Sequence, residues 1–239
     1  MAVRSLYVEP EGRPEEVDWG ALEFHDVFRI YRSGPAETVA LRGLDLRIEP
    51  RTQVAIFGPS GSGKSTLLAL AAGLDQPSAG EVRAAGLSLG RLDEHELARY
   101  RAERVAIVFQ SDNLWRGLSA LENVATALRL AGNDEPEEEA AAALESFGLG
   151  DRQSHRAAAL SGGEQQRVAI AAAAARRAEL VLADEPTGEL DEANERAVLE
   201  ALEILSGDHG STVVTVTHSE RVATAADRVL EIRDGRVAP

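Results

Sequence analysis

No cysteine occurs among the 239 residues. A disulfide scaffold and any thiolate metal centre are thereby excluded, and a reducing cytosol is a compatible home. Long apolar runs are missing too. A bilayer-crossing helix needs roughly 20 apolar residues, and the longest run near a motif, Val168 to Ala175, is short and alanine-rich. The first 20 residues carry several acids and no apolar h-region, so they do not read as a signal peptide. Positive charge is scarce: 25 Lys and Arg face 40 Asp and Glu, for a formal net charge of −15. Such a surface repels phosphate polymers and anionic headgroups at long range. No nucleic-acid partner is expected, and residence at a membrane would need another protein as the anchor. The remaining composition, 44% hydrophobic and 27% charged, is that of a soluble globular protein, and 239 residues suffice for one sizeable α/β domain with room for an inserted subdomain.

Residues 1–20 are polar, contain Pro10, Gly12 and Pro14, and are expected to form an extension of low order. From residue 21 the patterning changes. Residues 22–27 and 44–48 alternate as half-buried strands, and Val54-Ala55-Ile56-Phe57 is a continuous apolar strand. A buried helix is predicted over 65–73 and a strand over 105–109. Two helix-like segments, 120–130 and 136–147, make a helical insertion of about 112–160. The acidic run 134–139 reads as a solvated helix start, where carboxylates favour the helix dipole. Helices over 164–177 and 191–205 then alternate with strands over 180–183 and 212–216, before a final strand pair ending at Val237. That alternation implies a mostly parallel sheet.

Between the apolar strand and the helix stands Gly58-Pro59-Ser60-Gly61-Ser62-Gly63-Lys64-Ser65, followed by Thr66. This is a phosphate loop in its proper context. Its glycines let backbone N–H groups curl around phosphates, Lys64 offers a point charge, and the Ser65 hydroxyl can ligate Mg²⁺. A bare Gly/Ser turn with a surface lysine would lack the flanking strand and helix. Leu180-Val181-Leu182-Ala183 leads into Asp184 and Glu185, two carboxylates at the end of a buried strand. Ligands of parallel sheets bind beyond the strand C-termini, so Asp184 is placed to hold Mg²⁺ through water and Glu185 to act as general base.

A second anion site is written at Leu160-Ser161-Gly162-Gly163-Glu164. Ser161 and Glu164 have the spacing of a capping box, and the helix start points free N–H groups and its dipole outward. Two phosphate sites about a hundred residues apart on one chain resemble the ATPase subunit of ATP-binding cassette (ABC) transporters, whose signature reads LSGGQ; LSGGE is a variant of it. The resemblance implies a P-loop NTPase core with a mostly parallel sheet, an antiparallel β subdomain and an inserted helical subdomain. It also assigns further residues. Gln110 matches the glutamine that touches Mg²⁺ or the attacking water and senses the membrane partner. His218 matches the switch histidine, Tyr31 the aromatic that stacks on adenine, and Asp191 the D-loop aspartate facing a second subunit.

The match runs from about residue 22 to 237 with every motif in family order. It implies a head-to-tail homodimer or heterodimer enclosing two ATP molecules, with Mg²⁺ and a transmembrane permease as partners. The chain would then sit on the inner face of the cell membrane. Residues 183–191 and 118–124 look most like the branch of lipoprotein-release, macrolide-export and cell-division ATPases, whose members often transmit force. Departures lie at Pro50-Arg51-Thr52, where the family often has Pro-Gly-Glu, and over residues 111–116, where relatives commonly carry Leu-Pro or similar; Trp115 and Arg116 there lie where coupling helices would dock. Two competing classes are a soluble DNA-repair or chromosome-type ABC ATPase and a non-hydrolysing ATP-binding scaffold. The short insertion, the missing cysteines and the acidic balance oppose the first; Glu185, Gln110 and His218 oppose the second.

Overall fold

The computed structural model describes residues 19–33, 36–188 and 190–238. Most of the expected N-terminal extension therefore lies outside the described residues; Trp19 and Gly20 lie within them, and the Gly20 amide donates to the buried Glu23 carboxylate at 2.9 Å.

Two sheets organise the chain. β1 (Leu22–Ser33) and β2 (Ala36–Ile48) pair antiparallel, and β4 (Ala79–Ala84) and β5 (Leu87–Ser88) extend that sheet in the order β2-β1-β4-β5. The second sheet has the order β10-β9-β3-β8-β7-β6. Its five long members are β3 (Gln53–Phe57), β6 (Val105–Val108), β7 (Leu180–Asp184), β8 (Thr212–Thr217) and β9 (Arg228–Arg233), all parallel to their neighbours. Only β10 (Arg236–Val237) runs antiparallel, on the edge. Strands of this kind are buried on both faces and so lose the polar alternation of a surface strand. In β7, Leu180 and Leu182 join one core while Val181 and Ala183 join the other.

The first core lies between the antiparallel sheet, α1 (Lys64–Ala71) and α2 (Glu94–Glu103), with Phe24, Ile56, Leu67 and Tyr100 fully buried. The second joins β6 and β7 to α3 (Ala120–Leu130), α4 (Glu137–Ser146), α5 (Gly162–Ala175) and α6 (Glu192–Gly207) through Val124, Leu144, Ile170 and Leu202. A short α7 (Glu220–Thr224) follows β8. No helix among the described residues is long and apolar enough to cross a membrane.

The structure lengthens some expected elements and adds others. β1 and β2 run well past the short strands read from alternation, because register shifts between Phe24 and Ile30 break the period of two. β4 and α2 were not expected; α2 is polar, but its Asp93–Glu96 capping box is a legible start signal.

Candidate functional site

The C-terminal ends of β3, β7 and β8 open on one side of the parallel sheet, where such folds hold ligands. The turn from β3 into α1 is tight. Gly63 sits at φ 106°, and a Cβ there would stand 2.6 Å from the Ala40 carbonyl, so conformation and space both require glycine. Lys64 follows as the first residue of α1 and is only 8% exposed. Its Nζ donates to the Gly58 carbonyl at 2.7 Å and the Pro59 carbonyl at 3.0 Å, which holds the ammonium inside its own loop. It is the sole lysine of the chain; the other 24 of the 25 Lys and Arg are arginine. Ser62 is buried behind the loop, its hydroxyl without a protein partner.

The two carboxylates after β7 are treated differently. Burial pushes the Asp184 carboxyl above its ordinary value, against a hydrogen bond with Ser65, and the neighbouring Glu185 charge adds to the rise while Lys64 opposes it. Glu185 adopts a left-handed backbone, φ 45°, a conformation costing about 1–3 kcal/mol in a residue with a Cβ. Its amide donates to the Val216 carbonyl at 3.0 Å, which fixes the turn to β8. One carboxylate oxygen lies 2.7 Å from His218 Nδ1, and the other accepts from the Thr217 hydroxyl at 3.1 Å.

A cleft of about 910 Å³ brings together Tyr31, Ser60, Gly61, Gly63, Lys64, Ser65, Thr66, Gln110, Asp184, Glu185 and His218. At its rim the Tyr31 hydroxyl donates to Asp75 at 2.9 Å, and the Arg29 guanidinium covers one ring face at 4.5 Å. The Gln110 side chain packs beside Gly188, where a Cβ would come within 3.0 Å of its amide nitrogen. Its backbone is pinned from below: the buried Gln166 of α5 donates to the Phe109 and Gln110 carbonyls at 2.9 and 2.7 Å.

Ser161, Gly162, Gly163, Glu164 and Asp191 do not line this cleft. They form a second cluster where α5 and α6 begin. The capping box is complete: Glu164 N–H donates to Ser161 Oγ at 3.2 Å, and Ser161 N–H donates to the Glu164 carboxylate at 2.8 Å. Asp191 caps α6 through the Asn194 amide at 2.9 Å. Gly163 packs so closely on Asn194 that a Cβ would lie 2.4 Å from its side-chain oxygen. Gly163 is buried and serves helix packing, while Ser161 and Gly162 beside it are exposed.

The family model described as ABC transporter matches residues 41–188, more than half of the chain. The chain belongs to the ABC transporter family. Within it, the chain is 46% identical to the lipoprotein-releasing system ATP-binding protein LolD 2 of Caulobacter vibrioides, over 87% of this chain and 92% of that protein. It is 45% identical to the macrolide export ATP-binding/permease protein MacB of an Azoarcus species, over 90% of this chain. It spans about a third of that relative's length, 33%. Among solved structures, the dimeric structure of the ABC transporter cassette MJ0796 superposes with a TM-score of 0.82 at 38% identity, covering 91% of this chain and 97% of that one. A second MJ0796 structure, a dimeric post-hydrolysis state bound to ADP and Pi, gives the same TM-score. The α/β P-loop fold expected from the sequence is thus the fold observed.

Several residues that shape this ABC site escaped the sequence reading. Thr217, Gln166 and Asn194 each act on a residue more than thirty positions away in the chain, whereas Arg29 covers Tyr31 two residues along the same strand. Only the fold brings the first three to their partners.

Proposed function

We propose that the chain is an ATP hydrolase whose two copies close head to tail around ATP and drive a membrane permease. The observation that carries this reading is the separation of the two clusters. No residue of the signature turn lines the cleft, so a single nucleotide meets both when a second copy supplies the turn. Backbone amides of residues 58–65 and Lys64 hold the phosphates, and Tyr31 offers its uncovered ring face to the adenine. The oxygen set of Ser65, Asp184 and Gln110 suits Mg²⁺, a hard cation that keeps several waters beside carboxylate and phosphate oxygens. Bound there, Mg²⁺ would neutralise charge on the β- and γ-phosphates. Glu185 takes the proton of the attacking water, and His218 orients Glu185 and hydrogen-bonds the γ-phosphate. Ser161, Gly162, Gly163 and Glu164 of the partner copy face that phosphate, and Asp191 lies at the junction.

Likeness to a lipoprotein-releasing ATP-binding protein and to an export ATP-binding/permease protein supports a role at the inner membrane face, as an exporter cassette or a force transmitter. Trp115, 54% exposed, lines a groove with Ala127 and Leu130 that suits a permease helix.

The decisive experiment is sedimentation of the purified chain with and without a non-hydrolysable ATP analogue, paired with phosphate release in Mg²⁺ and ATP. Doubling of mass with the analogue and steady phosphate release are expected. An unchanged mass, with no phosphate release alone or alongside co-purified membrane protein, would overturn the reading.

A further inference from the structure

The signature turn carries a carboxylate, Glu164, on the surface that the head-to-tail reading turns toward a phosphate. An unshielded carboxylate beside a phosphate is repulsive, and the chain as a whole is already at −15. The structure shows how Glu164 is occupied. One of its oxygens accepts from the Ser161 amide at 2.8 Å, and the other lies 2.7 Å from Arg152 Nε. Arg152 comes from a single helical turn, residues 150–152, twelve positions before Glu164, and reaches across from the helical insertion. The Glu164 side chain is 19% exposed and that of Arg152 45% exposed. Burial would raise the Glu164 carboxyl, yet the bonds from Arg152 and Ser161 outweigh it and keep the group ionised. The negative charge is thus real and its counter-charge local.

We propose that Arg152 is a positioning residue for nucleotide-driven closure: it neutralises Glu164 and keeps the signature turn receptive to the partner's ATP. The proposal rests on the head-to-tail reading. With Glu164 paired, the Gly162 and Gly163 amides and the helix dipole set the local potential. With Arg152 removed, a bare carboxylate would oppose them.

The test uses the full chain in a Glu185→Gln background, which holds ATP without turnover, and reads the ATP-dependent dimerisation constant by sedimentation. Arg152→Ala is expected to weaken dimerisation about tenfold, a change worth about 1.4 kcal/mol. Monomer affinity for a fluorescent ATP analogue should not move. Glu164→Gln keeps an acceptor for the Ser161 amide and removes the charge, so the Arg152→Ala/Glu164→Gln double variant should recover dimerisation. An Arg152→Ala dimer as strong as the parent would overturn the proposal. A weakened dimer that the double variant fails to restore would overturn it as well, because that pattern marks a merely structural arginine. If the Glu185→Gln parent never dimerises with ATP, the head-to-tail reading itself falls, and this proposal with it.

Discussion

The cleft and the signature turn meet one nucleotide from opposite sides on our reading, yet they are built by opposite means. The cleft is set into the end of a sheet buried on both faces, and its charged groups are held under constraint. Lys64 is folded onto its own loop carbonyls, Glu185 is pinned in a left-handed turn, and burial pushes Asp184 up. The turn lies on the surface, is stabilised by a local capping box, and its carboxylate is held down by Arg152 and Ser161 against burial. A site that grips a ligand within one chain uses pre-organised, partly desolvated charge. A site that meets a ligand brought by another chain stays solvated and neutralised.

That contrast can be broken experimentally, most strongly at Glu185. Glu185→Gln should slow phosphate release by about 10²–10⁴-fold while nucleotide affinity stays near the parent value; quenched-flow phosphate assays with a binding titration check both. Lys64→Ala should weaken nucleotide binding by about 10²-fold, the scale of a lost charge-assisted contact, as read by calorimetry. Gly163→Ala should do the reverse. Its Cβ forces Asn194 aside, so closure should weaken about tenfold with monomer affinity for nucleotide intact, measured by sedimentation against a fluorescent analogue.

The smallest effects belong to the cap. Ser161→Ala should lower stability by about 1 kcal/mol in urea unfolding and leave phosphate-loop binding alone. For Glu164 the sign follows from a folded carboxyl lying below its ordinary value of 4.5. The stabilisation is complete above that value and fades as pH falls through the lower folded one. Glu164→Gln should therefore flatten the acid side of the stability–pH profile, and a parallel profile would show the pair contributes nothing.

Local chemistry made the cleft legible in the sequence. The phosphate loop, the Asp184-Glu185 pair and the Ser161–Glu164 box are each written within a few residues, and the helix-like segment 120–130 coincides with α3, which the structure shows capped by Ser119. What escaped depends on bulged or distant pairing. β1 breaks its own alternation, α2 has few apolar residues to mark its face, and Arg152 reaches Glu164 only after the helical insertion folds. The same limit hid Gln166, whose amide ties the start of the signature helix to the backbone of Gln110. No spacing rule links residues 56 positions apart.

The lone lysine has a consequence for chemistry done to this protein from outside. Acyl donors and amine-directed cross-linkers find no other side-chain amine, since every remaining basic side chain is a guanidinium or an imidazole. The one they could find is 8% exposed and already engaged by two carbonyls. On our reading, acylation there would cancel the charge that Lys64 offers to the phosphates, so a covalent event at one side chain would silence the molecule.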